Sequence, residues 1–259
     1  MSFIISTQAE VLKIKRTASF WLSIVGAVFV PGIFFLIFTF NPDDGALKDF
    51  STEPWQKMFY LGWEFFSAFT LPMYVILISA LLPQIEFKNH AWKQVFASPQ
   101  SLGNIFFSKF AAIHIMIISC FLLYNMFMIL TGIIVNLMNP RFPFLHSSID
   151  LALLLRLSFK FYISTLGITA IQYFLSLRFK NFIAPIGIGL ALVIGAVTAI
   201  SLHWKHADKY PYAFPIITSN LMREKGRPFI ENHEWYSIVY FVFFMLLGFL
   251  DMKMRKEKG

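Results

Sequence analysis

Glu64, Arg156 and Lys160 lie in or beside long apolar runs, where an ion is costly unless it reaches a counter-ion, water or the headgroup layer. Two chemistries fit them. They can snorkel to an interface, or they can form a buried pair or a polar lining for a path, since Arg156 and Lys160 are one helical step of four apart. Gln172 adds a polar side chain farther along the run that holds Arg156 and Lys160. His203, His206 and Asp208 carry metal-binding groups. Their short loop spacing, without further His or Cys nearby, fits a solvated polar patch better, so no metal site is expected. No Ser-His-Asp set, carboxylate pair or nucleophile elbow stands out on one face, so no catalytic residue is expected. No Gly-x-x-x-x-Gly-Lys-Ser/Thr occurs either, which removes that route to cradling nucleotide phosphates.

The stretch from Gln84 to Gly103 is the richest in polar signals. Phe87, Ala91 and Val95 recur at i, i+4 and i+8 beside Trp92 and Phe96, while Glu86, Lys88, Asn89 and Lys93 take other faces. That pattern predicts a short amphipathic helix. Ser98 and Pro99 stop it, because proline disfavours helix in the residue before it and cannot extend the ladder. Such a helix can lie in the headgroup layer or dock a cytoplasmic partner. The sequence leaves both open.

The elements that must position these residues are apolar. Of 259 residues 57% are hydrophobic and only 14% charged, with 32 Phe and a mean hydropathy of +0.64, which excludes an ordinary soluble domain. Runs near the roughly 20 residues needed to cross a hydrocarbon core fall at Phe20–Phe40, Met58–Pro83, Phe106–Met138, Ser148–Leu177, Phe182–Leu202 and Trp235–Met252. Pro31 and Gly32 should bend the first. The third must tilt or project, and the short link Arg178–Asn181 makes a tight hairpin of the fourth and fifth. The fifth carries Gly187, Ala191, Gly195 and Ala199 at intervals of four, a stripe that permits close helix approach. No linker or repeat divides the chain, so residues 1–259 read as a single domain.

The net charge of +8 sits beside hydrophobic spans, a membrane pattern and not a nucleic-acid one. With the amino terminus inside, the inner segments hold Lys13, Lys15, Arg16, Lys88, Lys93, Lys109, Arg178, Lys180, Lys253, Arg255, Lys256 and Lys258 against only Glu10, Glu86, Asp251 and Glu257. This places both termini in the cytoplasm. The loop His203–Glu234 is also basic, but long loops translocate largely regardless of charge.

The run from Glu86 to Pro99, followed by Ser108 and Lys109, resembles the loop of ABC-2 type permeases, particularly those of lantibiotic-immunity and related peptide exporters. There a glutamate, an asparagine and a Trp-Lys pair precede a Ser-Pro stop and a Ser-Lys step into the third helix. The stretch with Glu10, Lys13, Lys15 and Arg16 is similar to the family's amino-terminal elbow helix. Gln172, Ser176, Arg178, Lys180 and Asn181 resemble its junction between the fourth and fifth spans, and Tyr210-Pro-Tyr its last outer loop. His90 departs from the pattern, where a small polar residue is usual.

The resemblance implies an all-α integral membrane fold like that of type V ABC exporters, with about six transmembrane helices, an elbow helix and a cytoplasmic coupling helix. It implies a permease subunit in a bacterial plasma membrane, paired with a second permease chain. A cytoplasmic ABC ATPase would contact Glu86, Lys88, Asn89, Trp92, Lys93, Phe96, Ser98 and Pro99. ATP and magnesium would belong to that ATPase, with no cofactor in this chain, and the cargo would be an amphipathic peptide or a drug-like or lipid-like compound. A lipid-modifying membrane enzyme and an ion-coupled secondary transporter are the rival readings. The first lacks a catalytic constellation, and the second lacks charges near the middle of the spans.

Overall fold

The computed structural model describes residues 2–15, 17–41, 50, 52–88, 100–224 and 226–256, the side chains of residues 88, 255 and 256 excepted. Asn89, Trp92, Lys93, Phe96, Ser98, Pro99 and Arg16 therefore lie outside the described residues. Among those described, the regular structure is helical, and six helical segments are long and apolar enough to cross a membrane.

Helix α1 (Phe3–Ile14) starts on Ser2, whose Oγ accepts from Ile5 N, a standard N-cap bond. Helix α2 (Ala18–Phe40) is the first span and continues through Pro31. The second span is α3 (Pro54–Phe65), a π-helical turn (Phe66–Thr70) and α4 (Leu71–Lys88). Pro72 stands one residue beyond that turn, and a proline without an N–H leaves the preceding ladder to readjust.

The same defect recurs at Pro83 inside α4, and there another helix repairs it. The carbonyl four residues back, Ser79 O, accepts a 2.7 Å hydrogen bond from Ser176 Oγ. With that acceptor satisfied, α4 runs on to Lys88. The span therefore does not end at Pro83, and Glu86 and Lys88 prolong α4 where a separate loop helix was expected.

Helix α5 (Leu102–Met138) has 37 residues, about 55 Å of rod at 1.5 Å per residue. Ser101 Oγ caps it by accepting from Asn104 N. After a 3₁₀ turn at Phe144–His146 comes α6 (Leu151–Arg178), capped by Asp150. Asn181 Oδ1 accepts from Ile183 N at the start of α7 (Ile183–Ser201), which completes the hairpin expected from the short link. A short α8 (Phe214–Leu221) precedes α9 (Asn232–Lys256).

The helices alternate in direction, so the molecule has an α1 end, where α4, α6 and α9 finish, and a far end built from residues 50–54, 139–150 and 202–231. Aromatic packing fixes the far end. Trp55 Nε1 donates to Phe144 O at 2.8 Å, and its ring lies so close to Gly132 that an added Cβ would stand 2.6 Å from it. On α7 the buried face is Pro185, Gly189, Val193 and Ala196. Gly187 and Ala191 are exposed, so that part of the small-residue stripe points away from this chain's own bundle, whereas an added Cβ on Gly195 would meet Tyr210 Oη at 3.3 Å.

Candidate functional site

The α1 end holds four charges drawn from three helices. Glu10 and Lys13 stand one turn apart on α1, Glu86 ends α4, and Lys109 lies in the second turn of α5. Lys109 Nζ donates to Glu10 Oε2 at 2.9 Å and contacts Glu86 Oε1 directly. Lys13 Nζ reaches Glu10 Oε1 at 2.7 Å and Glu86 Oε1 at 3.0 Å. The Lys109 and Glu86 side chains are only 1% and 3% exposed, so these are interior ions with little screening by water. Burial opposes the charge on Lys13, but Glu10 and Glu86 outweigh it and raise its pKa above the ordinary 10.5. The pair's contribution from Lys13 is thus present in full below pH 10.5 and is lost only as pH climbs through the raised value.

A second row of bonds continues the seam between α1 and α5. Asn104 Nδ2 donates to Ser6 Oγ at 2.9 Å, and Ser6 Oγ donates to Gln100 Oε1 at 3.2 Å. Beneath the ions, Tyr173 on α6 donates to Phe106 O at 2.8 Å. The helix leading into the Asn89–Pro99 segment is therefore fastened to α1 and α5 by ions, and to α6 through Ser176.

Glu86 was expected to orient the loop helix or meet a basic group on a partner. It is instead turned inward onto Lys109 and Lys13, because the continuation of α4 past Pro83 swings its side chain toward α5. Lys15 is exposed beyond the end of α1. Lys109 had stood out only as part of a motif; its position in an apolar run was the available signal of a buried ion.

At the far end Glu64 pairs with neither Arg156 nor Lys160. Glu64 is exposed and takes Arg223, at 2.8 Å, whose guanidinium also lies 5.9 Å from the centre of the Tyr60 ring. Lys160 is buried against Glu234, with its Nζ 3.2 and 3.3 Å from the two carboxylate oxygens. Glu234 also accepts from Glu231 N at 2.7 Å, the backward half of a capping box that starts α9. Arg156 is exposed and makes no ion pair among the described residues. Gln172 is fully buried in the bundle, where its Nε2 donates to Tyr212 Oη at 2.7 Å.

His114 Nδ1 and Tyr162 Oη lie 2.8 Å apart, with no nucleophile beside them to make a catalytic set. Among the described residues no group of three His, Cys, Asp or Glu could hold a metal ion. The ions described join helices to one another.

The model of a family described as ABC-2 family transporter protein matches residues 6–197. That stretch contains the whole ion cluster and the segment after Lys88, but not the loop of residues 202–231 or α9. No curated protein and no solved structure matches the chain.

Proposed function

Because the chain belongs to the ABC-2 family of transporter proteins, and is thus the multi-pass permease subunit of an ABC transporter, we propose that it exports amphipathic peptides of the lantibiotic or bacteriocin kind, or lipid-like or drug-like compounds. The family implies a separate ABC ATPase as partner. In the proposed assembly that ATPase binds ATP and magnesium, docks on the Asn89–Pro99 segment, and drives a dimer of this chain with a second permease. The setting is a bacterial plasma membrane, with the α1 end and both termini in the cytoplasm.

The observation that carries this reading is the ion cluster. A force on the segment after Lys88 reaches α4 first, and buried ions transfer it to α1 and α5 without a flexible joint. Closure of the ATPases would then alter the packing of three helices at once. For transport the two states must differ in their contacts with nucleotide and cargo.

Trp92 supplies the test. An aromatic anchor in an interface pocket commonly contributes 2 kcal/mol or more on truncation, so Trp92→Ala should lower recovery of the ATPase, or separate ATP hydrolysis from export, at unchanged membrane abundance. Truncating Phe243, exposed on α9, should do neither. Full ATPase association and full export by Trp92→Ala would reduce the segment to a membrane anchor.

Orientation is tested separately. Cysteines at the exposed positions Thr52 and Asp208 should react with an impermeant thiol reagent on intact cells, and one at exposed Ser101 should not. The native Cys120 is buried and gives a low background. Labelling at Ser101 alone would reverse the proposed direction.

A further inference from the structure

A cavity of about 30 Å³ opens at the far end between α3, α6, α8 and the start of α9. Its charges pair off incompletely. Arg227 gives its hydrogen bonds to Glu224 at 2.8 and 2.6 Å, although it also lies in the field of Glu231. Lys160 is taken by Glu234. Two groups remain. Glu231 is only 8% exposed, yet its Oε1 has no hydrogen-bond partner among the described residues, and Arg156 has no ion pair among them. An unpartnered buried carboxylate oxygen is costly. The positive pole of α9 does not account for it, since Glu234 already caps that helix.

We propose that this cavity is a headgroup site for a zwitterionic phospholipid with a primary ammonium, the phosphoethanolamine class, whose ammonium donates to Glu231 Oε1 while its phosphate meets Arg156. The two unmatched charges have opposite sign, which calls for a ligand that is itself both cation and anion. Hydrogen bonding selects the cation. A primary ammonium carries N–H groups to donate to Glu231 Oε1, and a trimethylammonium has none.

The surroundings select a lipid. Arg156 shares one exposed face of α6 with Leu151, Leu155 and Phe159, which are 63%, 71% and 42% exposed, and Phe229 stacks on Phe159 at 5.4 Å. Phe159, about one turn nearer the middle of α6 than Arg156, suits acyl chains below a bound headgroup. This site does not depend on the exporter reading, since it concerns the bilayer around the permease.

The test uses the purified full chain in detergent, titrated with short-chain phosphatidylethanolamine, phosphatidylcholine and phosphatidylglycerol and followed by native mass spectrometry. Phosphatidylethanolamine should bind roughly tenfold or more tightly than the other two, the size of one charge-assisted hydrogen bond. Glu231→Gln should reduce that preference to the phosphatidylcholine level without lowering the lipid-free melting temperature. Arg156→Ala should weaken phosphatidylethanolamine and phosphatidylcholine alike. Equal binding of the three lipids by the native chain overturns the proposal, as does a preference that survives Glu231→Gln. Soluble phosphoethanolamine binding as tightly as the lipid would make the occupant a free amine. A lysine-terminated peptide binding where the lipid does not would make it a peptide. Either result also overturns the lipid assignment.

Discussion

Replacing Lys109 with Met should be among the most damaging single changes in this protein, costing about 3–5 kcal/mol, the usual loss when one partner of a buried ion pair is removed. The reason lies in what remains. Glu86, almost wholly enclosed, and Glu10 would face each other with, among the described residues, only the Lys13 ammonium, whose side chain is 39% exposed, to offset two carboxylates. Lower membrane abundance and a lower melting temperature of the detergent-purified chain should report the loss. The double variant Glu86→Gln with Lys109→Met removes one charge of each sign, leaves the simple Glu10–Lys13 pair on α1, and should recover most of the stability, since exchanging a whole buried pair for neutral groups is often close to neutral. If Lys109→Met melts like the native chain, the cluster is more hydrated than its burial indicates. The double variant also isolates function: once stability is restored, any remaining loss of export belongs to the ionic link itself.

The second large effect is expected at the other end. Glu234 both neutralises Lys160 and accepts the backbone N–H that starts α9, so Glu234→Ala removes a buried counter-ion and a helix cap together. The first loss is about 3–5 kcal/mol and the second adds about 1 kcal/mol. Glu234→Gln keeps an acceptor for the cap and should be milder, while Lys160→Met with Glu234→Gln should be milder still. Thermal unfolding ranks the three. Limited proteolysis of the loop at residues 222–231 should accelerate most in Glu234→Ala, because the start of α9 loses its fixed point. Equal melting temperatures for Glu234→Ala and Glu234→Gln would show that the ion pair carries the whole effect and the cap none.

These sites differ in how visible they were from residue order alone. The six spans were readable because a bilayer imposes one requirement, about 20 consecutive apolar residues, that can be counted. The tight hairpin followed from the length of its link. The fate of Pro83 was not readable, since local rules end a helix there and the repair comes from Ser176, 97 positions along the chain. That one contact decides whether Glu86 belongs to a loop or to a span. Charge partners were hidden for the same reason: Glu64 meets Arg223 across 159 positions, and spacing along one helix could suggest only near neighbours such as Arg156 and Lys160. The capping box of Glu231 and Glu234 had a local signature, a carboxylate three residues into a helix, and was within reach of sequence reading. The stripe on α7 had a readable pattern but no readable direction, because small residues permit close packing on whichever side a partner stands.

The length of α5 bears on mechanics. A rod of about 55 Å exceeds a hydrocarbon core of about 30 Å by about 25 Å, so the helix must tilt or project beyond that core, and a rigid rod of that length would act as a lever. Turning such a rod by about five degrees around its middle moves each end by about 2 Å, in opposite directions. Lys109 is fastened near one tip of this lever, and Gly132 with Trp55 near the other. A displacement of about 2 Å at the ion cluster would thus produce a similar displacement, in the opposite sense, at the far end, where an added Cβ on Gly132 would already stand 2.6 Å from the Trp55 ring.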